Sequence, residues 1–136
     1  MNTIHTTTAA IDRKTVLSTL WIFAMLNYLY ADVFTLFFNP AAQEATFAMP
    51  AGAVLMFAVL METAIAMVLL SRVLKYGVNR WVNIVAGVIH TALVTWATFG
   101  DAAPASHAVF FATIEAACTL FIVWYAWTWR SGEARS

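Results

Sequence analysis

Residues 51–71 read AGAVLMFAVLMETAIAMVLLS, an unbroken apolar run interrupted by one acid, Glu62. A bilayer core about 30 Å thick is crossed by about 20 apolar residues of helix, and this run is long enough. Pro50 stands at its head, where a helix tolerates the missing N–H. On a soluble helix the acid would simply face water; inside lipid it is costly and needs a reason. Three more runs decide between the two cases. VLSTLWIFAMLNYLYADVFTLFF occupies 16–38 and is closed by Asn39 and Pro40. WVNIVAGVIHTALVTWATF occupies 81–99 and ends at Gly100, a common helix stop. HAVFFATIEAACTLFIVWYAWTW occupies 107–129.

Composition points the same way. Of 136 residues, 62% are hydrophobic and 10% charged, and the mean hydropathy is +0.78. Soluble domains carry about 25% charged residues, so this chain could not cover its own surface in water. The reading is an all-α integral membrane protein: a four-helix antiparallel bundle over 16–129, with tails at 1–15 and 130–136. A formal net charge of zero leaves no basic field for nucleic acid. The single cysteine, Cys118, excludes an internal disulfide, a CxxC pair and a cysteine-based zinc cage. The first span is too long for a signal-peptide core and is interrupted by Asn27 and Asp32, so it is read as retained.

Direction follows from the cations. Arg13 and Lys14 precede the first span, Arg72, Lys75 and Arg80 join the second to the third, and Arg130 and Arg135 follow the fourth. The other two connections, NPAAQEATFAMP and GDAAPAS, hold no Lys or Arg. The positive-inside rule then places both termini in the cytoplasm, with the cell membrane crossed four times. Trp81, Trp124, Trp127 and Trp129 fall at the inner interface and Trp96, Phe37 and Phe38 at the outer one, as an aromatic belt.

With direction set, the helical rise gives depth. Glu62, His90 and Asn27 fall near mid-membrane, Glu115 about 4 Å and Asp32 about 7 Å further out. Such groups normally face a bundle interior or a cavity and mark functional sites. Ala58 and Ala66 flank Glu62 at four-residue spacing, and Asn83, Gly87 and His90 share one face of the third span. Tyr28 and Asp32, four apart, are within mutual reach, whereas Asn27 and Asp32 point about 140° apart. The candidate ligand- or proton-binding residues are therefore Glu62, His90 and Glu115 as a core, with Asp32 at the rim and Asn27 and Tyr28 beside them. A charge in hydrocarbon costs at least about 2.5–3.5 kcal/mol. No Lys or Arg shares the layer, so at least one acid is expected to be protonated at neutral pH. The layer suits a proton, a cation or a neutral hydrogen-bonding molecule, not an anion. Glu62, His90 and Glu115 resemble a carboxylate-rich metal core, but the Glu-x-x-His pair typical of one is missing, so no metal is expected. The sequence names no cofactor. The bland alternative is that each acid is interhelical glue, worth about 0.6 kcal/mol.

Three patterns, RKTVLSTLWIFAMLNYLYADVF at 13–34, METAIAMVLLSRVLKYGVNRWVNIVAG at 61–87 and FFATIEAACTLFIVWYAW at 110–127, together resemble a bacterial family of four-span membrane proteins. That family is a domain of unknown function, loosely similar to DoxX-like membrane proteins. The resemblance implies a four-helix membrane bundle and carries no catalytic role. Three functions are open to such a chain. One is a permease or proton-handling protein, for which so thin-walled a bundle calls for a homodimer. Another is an intramembrane enzyme acting on a lipid-soluble substrate. The last is a non-catalytic membrane subunit whose acids point outward to a partner.

Overall fold

Each of the four apolar runs is a helix in the computed structural model, which describes residues 11–100 and 104–132. The outermost parts of the two tails, 1–10 and 133–136 with Arg135, lie outside the described residues. In chain order the elements are α1 (Arg13–Phe38), α2 (Pro40–Phe47), α3 (Ala51–Val73), α4 (Tyr76–Phe99) and α5 (Ser106–Trp127). All but α2 are long and apolar enough to cross a membrane.

α2 corrects the reading of NPAAQEATFAMP as a plain connection. Asn39 caps it by accepting a hydrogen bond from the Ala42 backbone N–H at 3.2 Å, and Pro40 takes the first turn. Ala41, Ala42, Gln43, Glu44 and Ala45 then form a run of good helix formers. α4 likewise starts earlier than its apolar stretch. It takes in Asn79 and Arg80, because a helix need not stop where hydrophobicity does.

Side-chain bonds fix the topology. Ser18 bonds the Val68 carbonyl and Arg72 bonds Ser18, so α1 and α3 run antiparallel. Gly87 lies against Val123, Thr91 against Thr119 and Tyr76 against Trp129, so α4 and α5 do too. Arg13 donates to the Tyr125 carbonyl at 3.0 Å, Cys118 to that of Leu20 at 3.4 Å, and Phe34 meets Phe111, which makes α5 antiparallel to α1. The four spans thus close a ring in the order α1, α3, α4, α5, with α1 and α4 across the diagonal. The start of α1 and the end of α5 share the end of the bundle that carries Arg72, Lys75 and Arg80.

Packing is uneven along this ring. Fully buried Leu17, Trp21, Ala24, Ala64 and Ile122 lie in the half nearer the basic end. No residue of α1 beyond Tyr28, of α3 before Ala64, of α4 beyond His90 or of α5 before Ala112 is buried. The basic half is a core and the far half is open. Outside, Leu55, Val85, Leu120 and their like are exposed, as lipid-facing residues should be. Trp81, Trp124, Trp127 and Trp96 are exposed in keeping with an interfacial belt. Trp129 is not: only 2% accessible, it packs edge-on against Tyr76 at 5.1 Å.

Gly87 sets the separation of α4 and α5. A Cβ there would stand 2.6 Å from Val123 Cγ2 and 3.1 Å from the Thr119 carbonyl oxygen. Gly87→Ala is expected to part the helices and cost about 1–3 kcal/mol, read as a fall in unfolding midpoint in detergent. Gly77→Ala, where nothing lies within 4 Å, should leave that midpoint in place or raise it.

Candidate binding site in the interior polar layer

The floor of the site is built around Asn83. Its Oδ1 accepts from Trp21 Nε1 at 2.8 Å and from Ser71 Oγ at 3.1 Å. Its Nδ2 donates to the Asn79 carbonyl at 2.9 Å and to Asn79 Oδ1 at 2.7 Å. Asn79 in turn donates to the Ser71 carbonyl at 2.6 Å. One amide therefore joins α1, α3 and α4 with both of its donors and both acceptor positions used. Trp21, Asn79, Asn83 and Ser71 are all wholly buried, so this floor is tight.

Above it the chemistry changes. The His90 ring sits edge-on to Trp21 at 5.3 Å and stacks on Tyr28 at 5.5 Å, tilted 26°. Glu115, from α5, lies within electrostatic reach of Tyr28 and of Asp32. Tyr28, His90 and Glu115 are 4, 4 and 5% accessible. Yet Tyr28 OH, His90 Nε2 and Glu115 Oε1 have no hydrogen-bond partner among the described residues. The other three such atoms, on Arg80, His107 and Trp129, lie at helix ends. Buried polar atoms normally find partners, and those that do not call for an explanation. Beside the trio, the Thr91 and Thr119 hydroxyls share a 2.7 Å bond.

The structure brings Tyr28, His90 and Glu115 together, and it separates the remaining candidates from them. Asp32 follows Trp21 and Tyr28 on one face of α1, eleven and four residues on. It is exposed all the same, because the bundle has opened at its level, so it stands over the trio at the mouth. Asn27 is turned aside and returns its amide to the Phe23 carbonyl at 3.0 Å. Glu62 is exposed. Its depth is that of the layer, six residues outward of Val68 and hence level with the middle of α1, but it faces away from α1. Trp21 and Asn79 were absent from the candidates. Extending the face of Asn83, Gly87 and His90 back by one turn reaches Asn79; nothing in the pattern of α1 singles out Trp21. Among the described residues no three His, Cys, Asp or Glu side chains converge to hold a metal ion.

A family model matches residues 6–136 and carries the description Family of unknown function (DUF6326). No curated protein and no solved structure matches the chain.

Removing the amide at the floor leaves the Trp21 N–H and the Ser71 hydroxyl without their acceptor in a water-free place. Asn83→Ala is therefore expected to destabilise the protein by about 1–3 kcal/mol for each group so stranded. Ser71→Ala, which strands none, should cost less than half as much; chemical unfolding in detergent measures both.

Proposed function

We propose that this chain, which belongs to the DUF6326 family, is a multi-pass membrane protein that holds a proton or a small neutral or cationic molecule at Tyr28, His90 and Glu115. One observation carries the reading: three buried polar atoms, on α1, α4 and α5, have no partner among the described residues, with His90 stacked on Tyr28 and Glu115 within electrostatic reach of Tyr28. Together they can donate and accept, and a hydrogen-bonding guest would satisfy them where the protein does not. With no Lys or Arg in the layer, an anion has nothing to hold it. Asp32 adds a second carboxyl at the mouth. The guest enters from the open half, since Trp21 and the Asn83 amide close the other.

The membrane in this reading is the bacterial inner membrane, with both termini cytoplasmic. The orientation is supported by every Lys and Arg of the spans' flanks lying at one end, and the bacterial membrane is what the sequence resemblance implies. The site then faces outward. An enzyme reading, with a substrate arriving from lipid, would need a side opening at the acid layer. The groove between α4 and α5, about 360 Å³ and lined by Val94, Thr95, Ala112 and Ala116 among others, includes none of Tyr28, His90 or Glu115.

Two measurements test this. In a Cys118→Ala background, a cysteine at Glu44 should react with a membrane-impermeant thiol reagent added outside intact cells, and one at Lys75 should not; the reverse pattern overturns the orientation. Infrared spectra of the protein in lipid should show a protonated-carboxyl band that shifts in D2O within minutes, falls as pH rises and shrinks in Glu115→Gln. Asp32→Asn should change the pH at which it falls. A Glu115 band that neither exchanges nor titrates would mean a sealed hydrogen bond and no binding site.

A further inference from the structure

Glu62 belongs to none of this. The buried residues of α3, Ala64, Met67 and Ser71, look into the bundle, where Ser71 bonds Asn83 of α4. Glu62 shares the opposite face with Leu55, Ala58, Val59, Ala66, Leu69 and Val73, at the spacings of 3.6-residue periodicity. On that face Leu55 is 65% and Leu69 64% exposed. Only 11% of the apolar window of α3 is buried, the smallest share of any span. Ionisable side chains at this depth almost always face a protein interior, yet here one stands in the middle of the surface most open to lipid.

We propose that this face of α3 is the contact between two copies of the chain, related by a two-fold axis along the membrane normal, with the two Glu62 carboxyls bonded to each other across it. The occupant follows from symmetry and chemistry. Because the flanking cations lie at one end, every copy inserts the same way. A parallel two-fold contact is self-complementary and brings each residue near the axis opposite its own counterpart, at equal depth. A protonated carboxyl has one donor and a free acceptor, so two of them complete each other without a cation. An unrelated partner would have to supply a matching group at that one depth. Ala58 and Ala66, each about 6 Å along the axis from Glu62, let the second helix approach closely. The interior site uses α1, α4 and α5, so the contact leaves it untouched.

The test uses the full chain in its membrane, with Cys118→Ala as background. Under oxidation, Ala58→Cys and Ala66→Cys should each give a covalent dimer of this chain, and Leu120→Cys, exposed on α5, should not. In nanodiscs, native mass spectrometry should find the parent and Glu62→Gln dimeric, because an amide also pairs with itself. Glu62→Leu should weaken the dimer at least tenfold. Cross-links to a different polypeptide, none at α3, or as many at Leu120 as at Ala58 would each overturn the proposal, as would a Glu62→Leu dimer of parental strength. Glu62→Leu should also leave the Glu115 infrared band unchanged, which separates failure here from failure of the binding site.

Discussion

Trp21 reaches across the diagonal of the ring, and the division of the bundle into a closed and an open half rests on it. Its indole N–H ends on Asn83 and its ring meets that of His90 in a T-shaped contact, both on α4, the helix that faces α1 without lying beside it. Where that ring fills the centre, side chains on all four spans become inaccessible. One layer beyond it nothing as large crosses, and Asp32 on the same face is already exposed. In water such a division would invite collapse. In lipid, helices have no hydrophobic drive to close on one another, and a half-open bundle can persist.

Depth was legible in the sequence and azimuth was not. The one-ended cations and a constant rise per residue put Glu62, His90 and Glu115 at similar heights, whereas the bond of Thr91 to Thr119 sets Glu115 roughly 7 Å outward of His90 along the helix axes. Which way each side chain turns is another matter. On α4, polar Asn83 and His90 contrast with the apolar remainder, so its inward face could be read. α3 is almost wholly apolar, leaving Glu62 with little to set its direction but the burial of Ala64, Met67 and Ser71 on the opposite face. The four spans were readable from hydrophobicity alone. α2 was not, because its signals are a cap and a run of alanines.

The two polar regions of the interior treat hydrogen bonding in opposite ways. At the floor every position of the Asn83 amide is used, and the amide fixes three helices against one another. In the layer above, Tyr28 and His90 are held by ring stacking and Glu115 by burial, while Tyr28 OH, His90 Nε2 and Glu115 Oε1 have no partner among the described residues. Rigid support below unsatisfied groups is the arrangement a preorganised site requires. The stability given up in the layer is offset by the packing beneath it.

The bond from Arg13 to the Tyr125 carbonyl joins residues 112 positions apart, whereas Asn79 and Ser71 are separated by eight. α1 precedes α3, α4 and α5 along the chain, and the carbonyl that receives Arg13 lies on α5. The hairpin of α3 and α4 can lock through Ser71 and Asn79 as soon as both helices are inserted. Until α5 follows, the Tyr125 carbonyl is not there to receive Arg13. Truncation before Tyr125 would remove the carbonyl on which the head of α1 is moored.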